Sequence, residues 1–182
     1  MTTGFPRALA SLAAVSAMLA ACAPHQAEQT SAAAAPAVSP VERGRYLVTV
    51  MDCGGCHTPG ALIGRPDMAR QLTGAGHGWE VPGTAVVYPP NLTPHPEAGL
   101  GGWSEAQIVA AIRTGARPDG RELQVMPWRA YAALTDADAA AVAAYLKSLP
   151  PSPNRAPALT SVANATAPYH VMRVPGAPPA SP

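Results

Sequence analysis

Five consecutive residues, Cys53-Gly54-Gly55-Cys56-His57, are the densest group of reactive side chains in this 182-residue chain. Two thiols three positions apart sit about one helical turn from each other, and an imidazole follows at once. A structural zinc site would need four ligands, usually from two such pairs, and the chain has no second pair. A thioredoxin-like redox pair follows a strand in a βαβ pattern, whereas this pair closes a helical pattern and precedes a long irregular stretch. A disulfide across so short a loop would stabilise little, and it would leave His57 without a role. The remaining chemistry is covalent haem attachment, for which C-x-x-C-H is the signature. Each thiol adds across one vinyl group and the adjacent His meets the iron. The expected cofactor is therefore one haem c, with Cys53 and Cys56 as thioether ligands and His57 as an axial iron ligand.

A sixth iron ligand would have to come from far along the chain. The candidates are Met51, Met68, Met126, Met172, His77, His95 and His170. Met51 lies too close to Cys53 to reach the opposite face, and Met172 falls in a proline-rich stretch. Met126 stands between two helical patterns in Gln124-Val125-Met126-Pro127-Trp128. There Pro127 biases it to an extended conformation and removes a backbone donor, and Trp128 and Tyr131 offer aromatic walls. Methionine is more often core filler than ligand. Met126 is the favoured position, with His77 or His95 behind it.

Three helices must position these residues. Ser39-Pro40-Val41-Glu42 reads as a capping box with proline at the first helical position. The helix it opens places Gly44, Leu47, Val48 and Met51 on one face and runs to Gly54-Gly55. Ser104-Glu105-Ala106-Gln107 opens a second, with Ile108, Ala111 and Ile112 facing inward. Thr135-Asp136-Ala137-Asp138 opens a third, whose stripe is Val142, Tyr145, Leu146 and Leu149 and which Pro150-Pro151 ends. Residues 58–102 show no lasting period, with Gly and Pro every few positions. So long an irregular stretch inside a compact domain makes sense if it wraps something that is not protein. The core is also thin in large side chains: aromatics are 5% of the chain and its one Phe, Phe5, precedes the domain. A buried porphyrin would supply the missing apolar surface.

Outside this domain the composition changes. Residues 1–7 carry positive charge, and residues 8–21 are apolar or small, a length that suits a secretory leader and falls short of a bilayer span. Leu19-Ala20-Ala21-Cys22 resembles a bacterial lipobox, which makes Cys22 the expected lipid anchor. The expected organisation is a lipoprotein signal peptide over residues 1–21, a flexible tether over 22–39, the haem domain over 40–151 and an extended tail over 152–182. As a coil the tether spans roughly 20–25 Å. The tail is rich in proline but holds a small apolar cluster at Tyr169, Val171, Met172 and Val174, suited either to strapping the domain or to touching a partner. Net charge is +1, and no basic block or interleaved aromatics points to nucleic acid. Arg113, Arg117, Arg121 and Arg129 gather near Met126, suited to haem carboxylates, to an acidic partner or merely to a solvated face.

Residues 42–151 resemble the class I cytochrome c domain, and most of all the haem units of cytochrome subunits in membrane-bound bacterial alcohol and sugar-acid dehydrogenases. The resemblance rests on Gly44-Arg45-Tyr46-Leu47, the C-x-x-C-H motif, Pro90-Asn91-Leu92-Thr93-Pro94 and Gly101-Gly102-Trp103-Ser104. Arg113-Thr114-Gly115, Arg117-Pro118-Asp119-Gly120-Arg121, Met126-Pro127 and Tyr145-Leu146-Lys147-Ser148-Leu149-Pro150 continue it. It implies an all-α, cytochrome c-like fold with three main helices and long loops around one covalent haem, the first and last helices crossing at Gly44. It also implies that Met126 is the distal iron ligand. The chain departs from those subunits in having a single C-x-x-C-H and in placing His95 where they usually show Asp. The implied function is one-electron transfer on the periplasmic side of a bacterial membrane, between redox partner proteins, without catalysis. A haem enzyme or gas sensor with a labile distal ligand is the alternative.

Overall fold

The structure is a computed structural model that describes residues 38–172. The leader, Cys22 and residues 22–37 of the tether lie outside the described residues, as do residues 173–182. Among the described residues no helix is long and apolar enough to cross a membrane.

The first helix, α1 (Pro40–Val50), starts at the expected cap. Ser39 Oγ accepts from the Glu42 amide at 3.2 Å, and Pro40 fills the first helical position. The reciprocal half of the box gives way to an ion pair, since the Glu42 carboxylate takes Arg45 at 2.7 Å instead. α1 stops at Val50, earlier than the sequence pattern suggests, because Asp52 turns left-handed at φ +52°. The haem motif then forms a short helix of its own, α2 (Cys53–His57), with the Asp52 carboxylate capping the Gly55 amide.

α3 (Glu105–Thr114) and α5 (Asp136–Ser148) lie as predicted. α3 carries a full capping box between Ser104 and Gln107 and buries Ile108, Ala111 and Ile112. α5 is capped by Thr135 and buries Ala139, Ala141, Val142, Ala143 and Leu146. A four-residue helix, α4 (Trp128–Tyr131), sits between them. α1 packs against α5, and α3 packs on α5 from another side. Lys147, the chain's one lysine, donates from the end of α5 to the carbonyls of Leu100, Gly101 and Trp103, at 3.3, 3.1 and 2.9 Å. It thereby pins the loop before α3.

The all-α expectation needs correction. Among the described residues, five α-helices are accompanied by a three-stranded sheet of order β2-β1-β3, made of β1 (Gly78–Val81), β2 (Ala85–Val87) and β3 (Tyr169–His170). β1 and β2 form an antiparallel hairpin with Trp79 opposite Val87, and β3 joins β1 in parallel with His170 opposite Trp79. Strands of four, three and two residues are too short to leave an alternating pattern. β3 also comes from far along the chain, so no local signal announces the pairing. Residues 152–172 thus lie along the domain as a strap. A bridge between Thr160 and Val86 and a 2.7 Å hydrogen bond from the Tyr88 hydroxyl to the Ala167 carbonyl hold it further.

Gly44 shows why α1 and α5 can cross so closely. A Cβ there would overlap the Ala141 carbonyl and come within 2.7 Å of Tyr145 Cβ. Gly44→Ala should therefore destabilise the protein by about 1–3 kcal/mol, although alanine is the better helix former. Denaturant unfolding of the purified protein measures this, and equal or greater stability would contradict so tight a crossing.

Candidate functional site

A cavity of about 470 Å³ lies among α2, α3, α4, α5 and the loops, and Cys53, Cys56, His57 and Met126 all line it. Its walls are mostly apolar. Ile108 and Ile112 come from α3, Val142 and Leu146 from α5, and Trp79 and Tyr88 from the hairpin and the chain just after it. Tyr131 lines it too, and its hydroxyl donates to the Met51 carbonyl at 2.9 Å, tying α4 to the end of α1. Trp128 does not line the cavity. Its indole nitrogen donates to the Leu123 carbonyl at 3.1 Å, and Trp103 and Trp79 supply the aromatic walls instead.

His57 is buried, and its Nδ1 lies 2.8 Å from the Pro90 carbonyl oxygen. A carbonyl can only accept, so Nδ1 carries the proton and Nε2 keeps its lone pair. Burial lowers the imidazole's proton affinity, and the Pro90 bond opposes that only in part. A neutral ring with one free nitrogen is the form that binds a metal. Burial also pushes the Cys53 thiol up to about 11 and raises Cys56, so both stay protonated at neutral pH. A Cβ at Gly55 would displace the Asp52 carboxylate that caps α2.

The other candidate ligands sort by position. Met51 lines the cavity beside Cys53, on the side of the motif. Met68 is exposed at 61% and Met172 at 77%. His77 lies against a smaller neighbouring cavity, and His170 stacks on Trp79 with ring centres 4.8 Å apart. His95 turns its Nδ1 to the amides of Glu97 and Ala98, at 3.3 and 3.1 Å, and so serves as the acceptor of a tight turn. Among these seven, Met126 is the side chain on the cavity that is remote in sequence from the haem motif.

The profile of the Cytochrome c family matches residues 41–150. The chain belongs to the cytochrome c family. Over 142 residues, 77% of the chain, it is 33% identical to the fructose dehydrogenase cytochrome subunit of Gluconobacter japonicus, of which it covers 28%. It is 38% identical over 156 residues to the alcohol dehydrogenase (quinone) cytochrome c subunit of Gluconacetobacter polyoxogenes, covering 79% of the chain and 32% of that relative. It is 32% identical over 106 residues to the gluconate 2-dehydrogenase cytochrome c subunit of Pantoea cypripedii, covering 58% of the chain and 22% of that relative. The chain thus spans under a third of the length of these relatives.

The residues of this cytochrome c domain fit the family's haem. Two thiols, a neutral imidazole and a thioether share one apolar cavity, which is the donor set and the setting that a covalently held haem uses.

The four arginines near Met126 do not form a bare cationic patch. Arg113 pairs with Asp136 on α5, Arg117 and Arg121 both hold Asp119, and Arg129 stacks over Trp128 at 4.3 Å. Only Arg117 of the four lines the cavity, and it lies 5.5 Å over the Trp103 ring. Sequence reasoning missed the roles of Trp79, Tyr88, Asn91 and the Pro90 carbonyl. The proline-asparagine-threonine run was visible, but a backbone carbonyl's partner leaves no mark in a sequence.

The bond from Arg121, and then the one from Arg117, holds the Asp119 carboxyl well below the usual carboxylate range. A depressed folded pKa means the clamp stabilises fully above the unfolded value, about 3.9, and is lost as pH falls through the folded one. Asp119→Asn should therefore lower the melting temperature at pH 7, with the deficit shrinking in acid below about pH 4. Thermal melts of both proteins from about pH 2 to 7 test the sign, and a deficit that grew in acid would contradict it.

Proposed function

We propose that this domain is a mono-haem electron carrier, with the haem held by thioethers at Cys53 and Cys56 and by His57 and Met126 on the iron. The observation that carries this reading is the meeting of those four side chains on one apolar cavity, with His57 Nδ1 committed to Pro90. When bound, the haem supplies a reversible one-electron couple. The chain's part is to keep both axial donors fixed in either oxidation state and to exclude water from the iron. α3 and α5 provide apolar walls, the short helix α2 carries both thiols and His57, and the loop before α4 carries Met126. Arg117, steadied by Asp119 and Trp103, is the cationic side chain available to a haem carboxylate. Met126 as a permanent sixth ligand leaves no open position, which favours electron exchange over ligand activation. A soft thioether also favours the reduced iron.

The single C-x-x-C-H in the chain supports one haem. The dehydrogenase names of the relatives support a dehydrogenase as electron source, with a second redox protein as acceptor. The apolar run ending in Leu19-Ala20-Ala21-Cys22 supports export and attachment to the periplasmic side of a bacterial membrane through a lipid on Cys22.

Two experiments test this. Protein made in a cell competent for cytochrome maturation should keep its haem on a denaturing gel, and its reduced form should not bind carbon monoxide. Met126→Ala should retain covalent haem, lower the reduction potential and admit carbon monoxide. Rapid carbon monoxide binding by the parent would favour a gas-binding role, and an unchanged variant spectrum would move the distal ligand elsewhere. Separately, Cys22→Ser should shift the protein from the membrane to the soluble fraction. A variant that still sediments with membrane would rule out Cys22 as the anchor.

A further inference from the structure

His57 is gripped at two points, and both partners lie on loops. Its ring donates to the Pro90 carbonyl at 2.8 Å, and its own carbonyl accepts from the Gly74 amide at 2.8 Å. Neither Gly74 nor Pro90 belongs to a helix or a strand, so what aims these two peptide groups lies outside regular secondary structure.

The strap does so at residues 152–154. The Pro90 carbonyl shares a planar peptide group with the nitrogen of Asn91, whose side chain is only 1% exposed. Asn91 Oδ1 accepts from the Thr93 amide and hydroxyl, both at 2.8 Å, and Asn91 Nδ2 donates to the carbonyls of Ser152 at 2.8 Å and Asn154 at 3.0 Å. Both lone pairs and both protons of this amide are therefore used. The Ser152 amide returns a bond to Thr93 Oγ1 at 3.0 Å. At the other grip, Asn154 Nδ2 donates to the Thr73 carbonyl at 2.7 Å. That carbonyl belongs to the same peptide plane as the Gly74 amide that holds His57.

We propose that Asn154 is a positioning residue for His57, acting with Asn91 to aim both peptide groups that grip it. Asn154 reaches one grip through its side chain and the other through its backbone carbonyl. A fully paired network in a low-dielectric interior holds its geometry more firmly than its separate bonds would. The Nδ1–H bond of a metal-binding histidine sets ring orientation and raises ligand basicity. Loosening it makes the imidazole a poorer donor to oxidised iron, so the reduction potential should rise.

The inference rests on the haem reading above, and the test separates the two. Parent, Asn154→Ala, Asn91→Asp and Val48→Ala are made as full-length holo-proteins. Val48 is a buried core residue that does not line the cavity, so its truncation destabilises without touching the network. Asn154→Ala should keep covalent haem, raise the midpoint potential and speed exchange of the His57 Nδ1 proton by about tenfold or more, read by nuclear magnetic resonance. Asn91→Asp, which turns a donor toward two carbonyls into an acceptor, should shift both further. Val48→Ala should lower the melting temperature and move neither. If Asn91→Asp does not accumulate, the half-buried Asn154 position decides alone. Parental potential and exchange in Asn154→Ala would overturn the proposal, as would equal shifts in Val48→Ala. A parent without covalent haem would instead overturn the haem reading beneath it.

Discussion

A buried imidazole needs a partner for its N–H, and in this domain that partner is a backbone carbonyl 33 positions away. The 2.8 Å contact between His57 and Pro90 sets the tautomer, and with it which nitrogen can bind a metal. It also explains the long excursion after the haem motif. The chain must leave His57, travel out through the hairpin and return at residues 89–91 beside the ring it started from. Much of what looks irregular between the first two long helices is this return path.

The helices contribute differently. Gly44 in α1 and the small Ala141 in α5 let two helices approach closely at one end of the domain. Larger apolar side chains, Ile108 and Ile112 from α3 with Val142 and Leu146 from α5, face the cavity at the other. Close packing in one region and a wide apolar space in another come from the same three helices. Residue size along each stripe makes the difference.

The strap joins these parts. Its far end pairs with the hairpin and stacks His170 on Trp79, a cavity wall. Its near end knits Asn91 to Asn154. A segment rich in proline has few amides to donate, and here it acts mostly through its carbonyls and the Asn154 side chain. The same composition that suggests an extended tail is compatible with a strap, because an extended chain offers its polar groups sideways to whatever it crosses.

Much of the site is legible in the order of residues. Cys53, Cys56 and His57 lie within one five-residue run, and their spacing carries the chemistry. Ser39, Ser104 and Thr135 mark three helix starts because capping is a local contact between residues three apart. Gly44 suggested a close crossing through resemblance alone. The sheet, the Pro90 acceptor, the turn made by His95 and the fate of the four arginines could not be read. Each depends on a partner brought near by folding, and a carbonyl or a two-residue strand looks the same in sequence whether it is paired or not. Local chemistry was therefore written in the order of residues. The gathering of a thiol pair, an imidazole and a distant methionine around one cavity was decided only when the helices packed and the loops closed over them.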